Sequence, residues 1–99
     1  MEIFNYALGD GEVFENVFKE DDLLMNHVVI PPGKFFEKHP TDANVHIVIL
    51  RGILTVAAGE GQRESYGKGC VIHIPKGTLS ELGNGSEESI ELMVIKSDL

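Results

Sequence analysis

The sequence predicts a small all-β domain, and three observations predict it. Turn signals recur about every 8–12 residues along the 99-residue chain. Short runs rich in β-branched and aromatic residues fill the intervals. No window of eleven or more residues keeps a 3.6-residue apolar period free of Gly or Pro.

The elements follow in order. Glu12–Lys19 alternates, with Val13, Glu15 and Val17 on one face and Phe14, Asn16 and Phe18 on the other, so it reads as a strand. Leu23–Ile30 is the second run, beyond the acidic cluster Glu20-Asp21-Asp22, which is expected to be a solvated turn. Pro31-Pro32-Gly33 and His39-Pro40-Thr41-Asp42 punctuate the next stretch. Val45–Arg51 and Ile53–Ala58 are separated only by Gly52, which implies a sharp bend or a tight strand connection. A glycine there permits positive φ or close backbone approach. Gln62–Tyr66, Val71–Ile74 and Ser89–Lys96 complete the set. Pro75-Lys76-Gly77 ends the Val71 strand, because proline cannot donate to the ladder. Asn84 lies between two glycines, where a left-handed conformation is tolerable.

Size and composition bound the function. Ninety-nine residues make one domain, 1–99. Hydrophobic residues make up 42% of the chain, which excludes general disorder. The net charge of −8 and the scattered Lys and Arg residues exclude a nucleic-acid or anionic-membrane footprint. No apolar stretch approaches the ~18–20 residues of a spanning helix. The N-terminus has no basic patch followed by an apolar run, so no signal peptide is expected. The single cysteine, Cys70, forms no internal disulfide, and the expected compartment is the cytoplasm. Inside its strand Cys70 reads as an inert buried thiol.

Two patterns lie close together. The first, over 33–52, is Gly33-x5-His39-x-Thr41-x3-Val45-x6-Gly52. The second, over 69–84, is Gly69-x5-Pro75-x-Gly77-x2-Ser80-x3-Asn84. Their turn residues and spacing make the chain resemble the cupin superfamily, over about Val28 to Ile95. The resemblance implies a single cupin-type barrel of antiparallel strands, a double-stranded β-helix or jelly roll, commonly dimeric. In metal-binding cupins the positions held here by Thr41, Val45 and Ser80 are usually His, Glu and His. Only His39 matches a ligand position. A metal site takes three or four His, Cys, Asp or Glu donors, and one imidazole does not hold a divalent ion. No cofactor is therefore expected, with a divalent metal as the alternative.

That alternative needs a site rebuilt from His39, His73 and His46. If Val45 points inward, Ile47 and Ile49 do too, and His46 points outward. His73 shares a face with Val71 and could be interior, which places it with His39, Thr41, Val45 and Ser80 in the expected ligand pocket. His39 is the best catalytic candidate. It could serve a rebuilt metal centre of isomerase, lyase or dioxygenase type. It could also serve acid–base chemistry with Glu37, as in the metal-free sugar-epimerase branch, with Tyr6 or Tyr66 as the acid. Ser80 and His39 could be neighbours, but a Ser–His pair without an orienting acid is weak grounds for hydrolysis. No Gly-rich phosphate loop precedes a helix. The expected function is small-molecule binding without a metal. The Glu12–Ile30 strands, apolar on both faces, are expected to pack in a homodimer.

Overall fold

The computed structural model describes all 99 residues and contains only strands, turns and loops. In chain order the strands are β1 (Val13–Glu20), β2 (Leu23–Ile30), β3 (His39–Pro40), β4 (Asn44–Arg51), β5 (Ile53–Ala58), β6 (Glu64–Gly67), β7 (Val71–Ile74), β8 (Leu79–Gly83) and β9 (Ile90–Ser97). They form a five-stranded sheet of order β1-β2-β9-β4-β7 and a four-stranded sheet of order β3-β8-β5-β6. All pairings are antiparallel. From β2 onward the chain crosses between the sheets at every connection except the β5–β6 hairpin, in the jelly-roll manner, which is the expected all-β fold.

Seven of the nine strands coincide with the runs read from the sequence, within two residues at each end. The other two, β3 and β8, are short and fall inside the motifs. His39–Pro40 carries turn residues, and Leu79–Gly83 (LSELG) lacks a β-branched residue, so neither announces itself as a strand. Pairing with neighbours makes them strands: β3 on β8, and β8 on β5.

The core lies between the sheets. Val45, Ile47 and Ile49 of β4, Val28 and Ile30 of β2, and Ile90 and Leu92 of β9 face Leu54 and Val56 of β5. Each set occupies every second residue, as the pleat requires. The sharp connection at Gly52 is real on both expected counts. Its φ is +85°, and a Cβ there would collide with Ile90 and come within 2.9 Å of the Ser89 carbonyl oxygen.

Two details differ from the sequence reading. A bulge between Asn16 and Phe18 moves Phe18 opposite Met25, onto the face shared with Val13 and Glu15. Phe14 and Asn16 stay on the inner side, opposite Val28 and Asn26. Asn84 does not adopt a left-handed backbone. It is kept for its side chain, described below.

The outer face of β1 and β2 is covered by the chain itself. Phe4 packs on Phe18 with ring centroids 5.2 Å apart, and Tyr6 lies over His27 at 4.6 Å. The amide of Ala7 donates to Glu15 Oε2 at 2.9 Å. Beneath this segment His27 is fully buried. Its Nδ1 hydrogen-bonds Glu15 Oε2 at 2.8 Å and its Nε2 hydrogen-bonds Glu91 Oε2 at 2.7 Å. Both ring nitrogens thus face a carboxylate, one from β1 and one from β9. Arg51 extends the network, at 3.8 Å from Glu91 and 2.7 Å from Asp10.

The His27 hydrogen bond, with help from the Ala7 amide, holds the Glu15 carboxyl below its ordinary value of 4.5. A depressed folded-state pKa stabilises the fold above the unfolded value and loses that contribution as pH falls through the folded value. Glu15→Gln is therefore expected to lose less stability than the parent chain between pH 7 and pH 3, measured by urea denaturation at both. The variant is also expected to expose residues 1–10 to limited proteolysis at pH 7.

Candidate functional site

A cavity of about 270 Å³ opens between the two sheets at one end of the barrel. Its walls are apolar: Phe14, Val28, Ile30, Phe36, Val45, Ile74, Leu82, Leu92 and Val94. Alternation puts them there. Val28 and Ile30 share a face of β2, and Leu92 and Val94 share a face of β9. Val45 of β4 and Ile74 of β7 are register partners on that same inner side. Six polar residues complete the lining: Asn26, His39, Thr41, Asp42, Ser80 and Lys96.

His39, Thr41, Val45 and Ser80, taken from the two motifs, all line this cavity. His39 and Ser80 are direct register partners across β3 and β8, so the neighbourhood expected from sequence exists. His39 is exposed at the mouth, whereas Ser80 is 4% exposed. The Nδ1–H of His39 donates to the Glu37 carbonyl at 2.9 Å. A carbonyl only accepts, so this bond places a proton on Nδ1.

Thr41 has a different job. Its hydroxyl donates to the Pro75 carbonyl at 2.9 Å and accepts from the Thr78 amide at 3.2 Å. Its own amide and carbonyl bond Thr78 and Gly77. Thr41 thus pins the second motif's turn to the first motif, and its oxygen is committed to that task.

His73 corrects the sequence expectation. Val45 pairs with Ile74 and Ile47 with Ile72, so Ile72 and Ile74 take the inward positions of β7. His73 faces out, opposite His46, and the two rings stack with centroids 4.4 Å apart and 8° between planes. The rebuilt His39/His73/His46 site is therefore not assembled, because the sheet stands between His39 and the other two. No group of three or more His, Cys, Asp or Glu side chains is arranged to hold a metal ion. Neither tyrosine reaches the cavity: Tyr6 covers His27 on the outer face, and Tyr66 lies beside a second, separate groove near His73. Cys70 is half-buried against the core.

The sequence matches the cupin domain family over residues 26–96. The chain belongs to the cupin family. An uncharacterised protein of Methanocaldococcus jannaschii is 24% identical over 86 residues, covering 87% of this chain and 74% of the relative. The crystal structure of an RmlC-like cupin family protein with a double-stranded β-helix fold, from the same organism, superposes with a TM-score of 0.91 at 21% identity. It covers 98% of this chain and 90% of that one. A Cupin 2 conserved barrel domain protein from Salinispora arenicola gives 0.79 at 18% identity, covering 99% and 89%. The Cupin_2 domain of an XRE family transcriptional regulator from Enterobacter cloacae gives 0.78 at 16% identity, covering 88% and 96%. At these identities the structures share the fold.

Within this cupin, the motif residues divide into two groups. One holds the frame. Asn84 is fully buried, and its Nδ2 donates to the carbonyls of Ile30 at 2.9 Å and Glu88 at 2.7 Å. Its Oδ1 accepts from the amide and hydroxyl of Ser86. It ties the end of β2 to the loop between β8 and β9. The other group, His39, Val45 and Ser80, supplies a cavity wall with one imidazole, one methyl-bearing side chain and one hydroxyl. That donor set does not fit a divalent cation.

Sequence reasoning missed Lys96, Asn26 and Asp42. The signal for Lys96 was available: Ile90, Leu92, Val94 and Lys96 occupy one face of β9 by alternation. Asn26 was hidden because β2 is apolar on both faces around it.

Replacing Asn84 with Ala removes the side-chain donor to the buried Ile30 carbonyl, at a cost of about 1–3 kcal/mol, whereas the exposed Glu88 carbonyl keeps the Ser86 hydroxyl. Asn84→Ala is expected to destabilise the chain by about 1–3 kcal/mol in urea denaturation. Because Asn84 lies outside the cavity lining, the folded fraction should bind a cavity ligand as the parent does.

Proposed function

We propose that this cupin binds a small organic molecule in the barrel cavity without help from a metal ion. One observation carries the proposal: a concave apolar space is kept open between the sheets while the side chains around it form no metal-holding set. A pocket of mostly apolar walls with a few placed polar groups is the ordinary form of a small-ligand site. At about 270 Å³ it suits a ligand of modest size. Apolar contact gives affinity there, and Asn26, Ser80 and Lys96 fix orientation.

Purified chain, prepared without chelator or affinity tag, is expected to carry far less than one Zn, Fe, Ni or Mn per chain by elemental analysis. Val45→Trp is expected to fill the cavity and abolish binding of small apolar probes, read by thermal shift and by titration calorimetry. Near-stoichiometric metal, or unchanged probe binding in the filled variant, overturns the proposal.

The occupant of the N-terminal surface is, on this reading, a second copy of the chain. Ile3, Phe4, Tyr6 and Leu8 are 41–89% exposed within the first eight residues. They flank β1, an edge strand whose far side pairs with nothing in the chain. Antiparallel pairing of two such edges across a two-fold axis closes both edges and covers both apolar strips. Light scattering at micromolar concentration is expected to give twice the mass of one chain, and deletion of residues 1–10 is expected to halve it.

A further inference from the structure

Lys96 is the only Lys or Arg in the cavity lining. Its position in the fold is unusual. β9 is the central strand of the five-stranded sheet, and Ile90, Leu92 and Val94 precede Lys96 along the inward row. Lys96 sits between Leu24 of β2 and Val45 of β4, and three quarters of its side chain is buried. Burying most of a lysine stem on an inward row orders a long flexible side chain, which costs conformational entropy. Its only charged neighbour is Asp42, at 3.4 Å, and Asp42 is 82% exposed. Such a pair contributes little and leaves the ammonium easily recruited.

Two further donors face the same space. Asn26 is 5% exposed; its oxygen accepts from Asn16 at 3.3 Å, and its amide nitrogen makes no hydrogen bond within the chain. Ser80 is 4% exposed, and its hydroxyl is likewise without a protein partner. No buried polar side-chain atom is sealed off unpartnered, so both groups keep their access through the cavity. Asn26 pairs with Val94, which makes it a diagonal neighbour of Lys96 at about 7–8 Å between backbones, within reach of the long lysine side chain. Ser80 approaches from the facing sheet. An ammonium, an amide N–H and a hydroxyl therefore converge on one apolar space, and all three can donate. A carboxylate is an acceptor-only head with about four lone-pair sites, and the apolar walls match a hydrocarbon body.

We propose that the cavity takes a small monocarboxylate with an apolar body, its carboxylate held by Lys96 with Asn26 and Ser80. This deepens the small-molecule reading above and rests on it. In a chain of net charge −8, one inward lysine provides local attraction for an anion that the surface as a whole repels.

The test uses the full chain at low ionic strength and three probes of one shape: hexanoate, hexanamide and hexylammonium. Calorimetry and amide chemical-shift mapping are expected to show hexanoate binding at least about tenfold tighter than hexanamide, with hexylammonium weakest. Lys96→Met and Lys96→Gln should remove that preference and leave hexanamide affinity within about twofold. Asp42→Asn, which removes the competitor for the ammonium, should strengthen hexanoate binding about two- to fivefold. The wild-type probe series needs no variant to fold and stands on its own. If hexanamide binds in the cavity as well as hexanoate, the carboxylate assignment fails and the small-molecule reading survives. If the Lys96 variants keep the tenfold preference, the assignment also fails. If no probe shifts the cavity residues, both fall together.

Discussion

Alternation along β4 and β9 is the constraint on which the rest of the molecule depends. These strands are neighbours in the middle of the larger sheet, and every second residue of each faces the opposite sheet. A one-residue slip of either would turn its apolar row to solvent, so burial specifies the register strongly. That register decides the chemistry of the cavity. It turns His46 out, and through the β4–β7 ladder it turns His73 out beside it. It also turns Lys96 in. Two imidazoles that could have gathered inside are stacked outside, and the one Lys or Arg in the cavity lining is Lys96.

The two motifs make sense against that frame. Thr41 stands at a position that holds a metal ligand in metal-binding cupins and Asn84 four residues beyond another, yet the Thr41 hydroxyl and the Asn84 amide nitrogen are spent on backbone groups. They join loops that the strands leave unpaired: Thr41 the turn before β8, Asn84 the loop after it. Their presence keeps the barrel's end in shape, and the shape keeps the cavity. His39, Val45 and Ser80 are free of such duties. The separation of framing residues from lining residues explains how the turns persist in a chain whose donor set cannot hold a cation.

The outer face follows different physics. Where the N-terminal segment covers β1 and β2, the His27 ring is enclosed by Glu15 and Glu91 and roofed by Tyr6. A buried histidine is tolerable there because both of its ring nitrogens have a hydrogen-bond partner. The segment and the strand bulge cooperate. The bulge brings Phe18 to the face where Phe4 meets it, and Glu15 accepts from both His27 and Ala7. The apolar residues of β1, read from sequence as a surface awaiting a symmetry mate, are thus partly covered from within the same chain.

Local pattern determined a good deal of this protein: the all-β class, seven strands, the inward row Val45-Ile47-Ile49, the outward His46 and the bend at Gly52. Each depends on a single residue's conformational freedom or on a period of two, and both are visible in a linear string. Tertiary structure alone decided the strand character of His39–Pro40 and Leu79–Gly83, the face of His73, the work of the Asn84 side chain and the convergence of Lys96, Asn26 and Ser80. Those outcomes depend on which strand lies beside which, and hydrogen-bond ladders join residues as far apart as Leu23 and Ser97. No local propensity carries that information, because the energy that selects it is the packing of two sheets against each other.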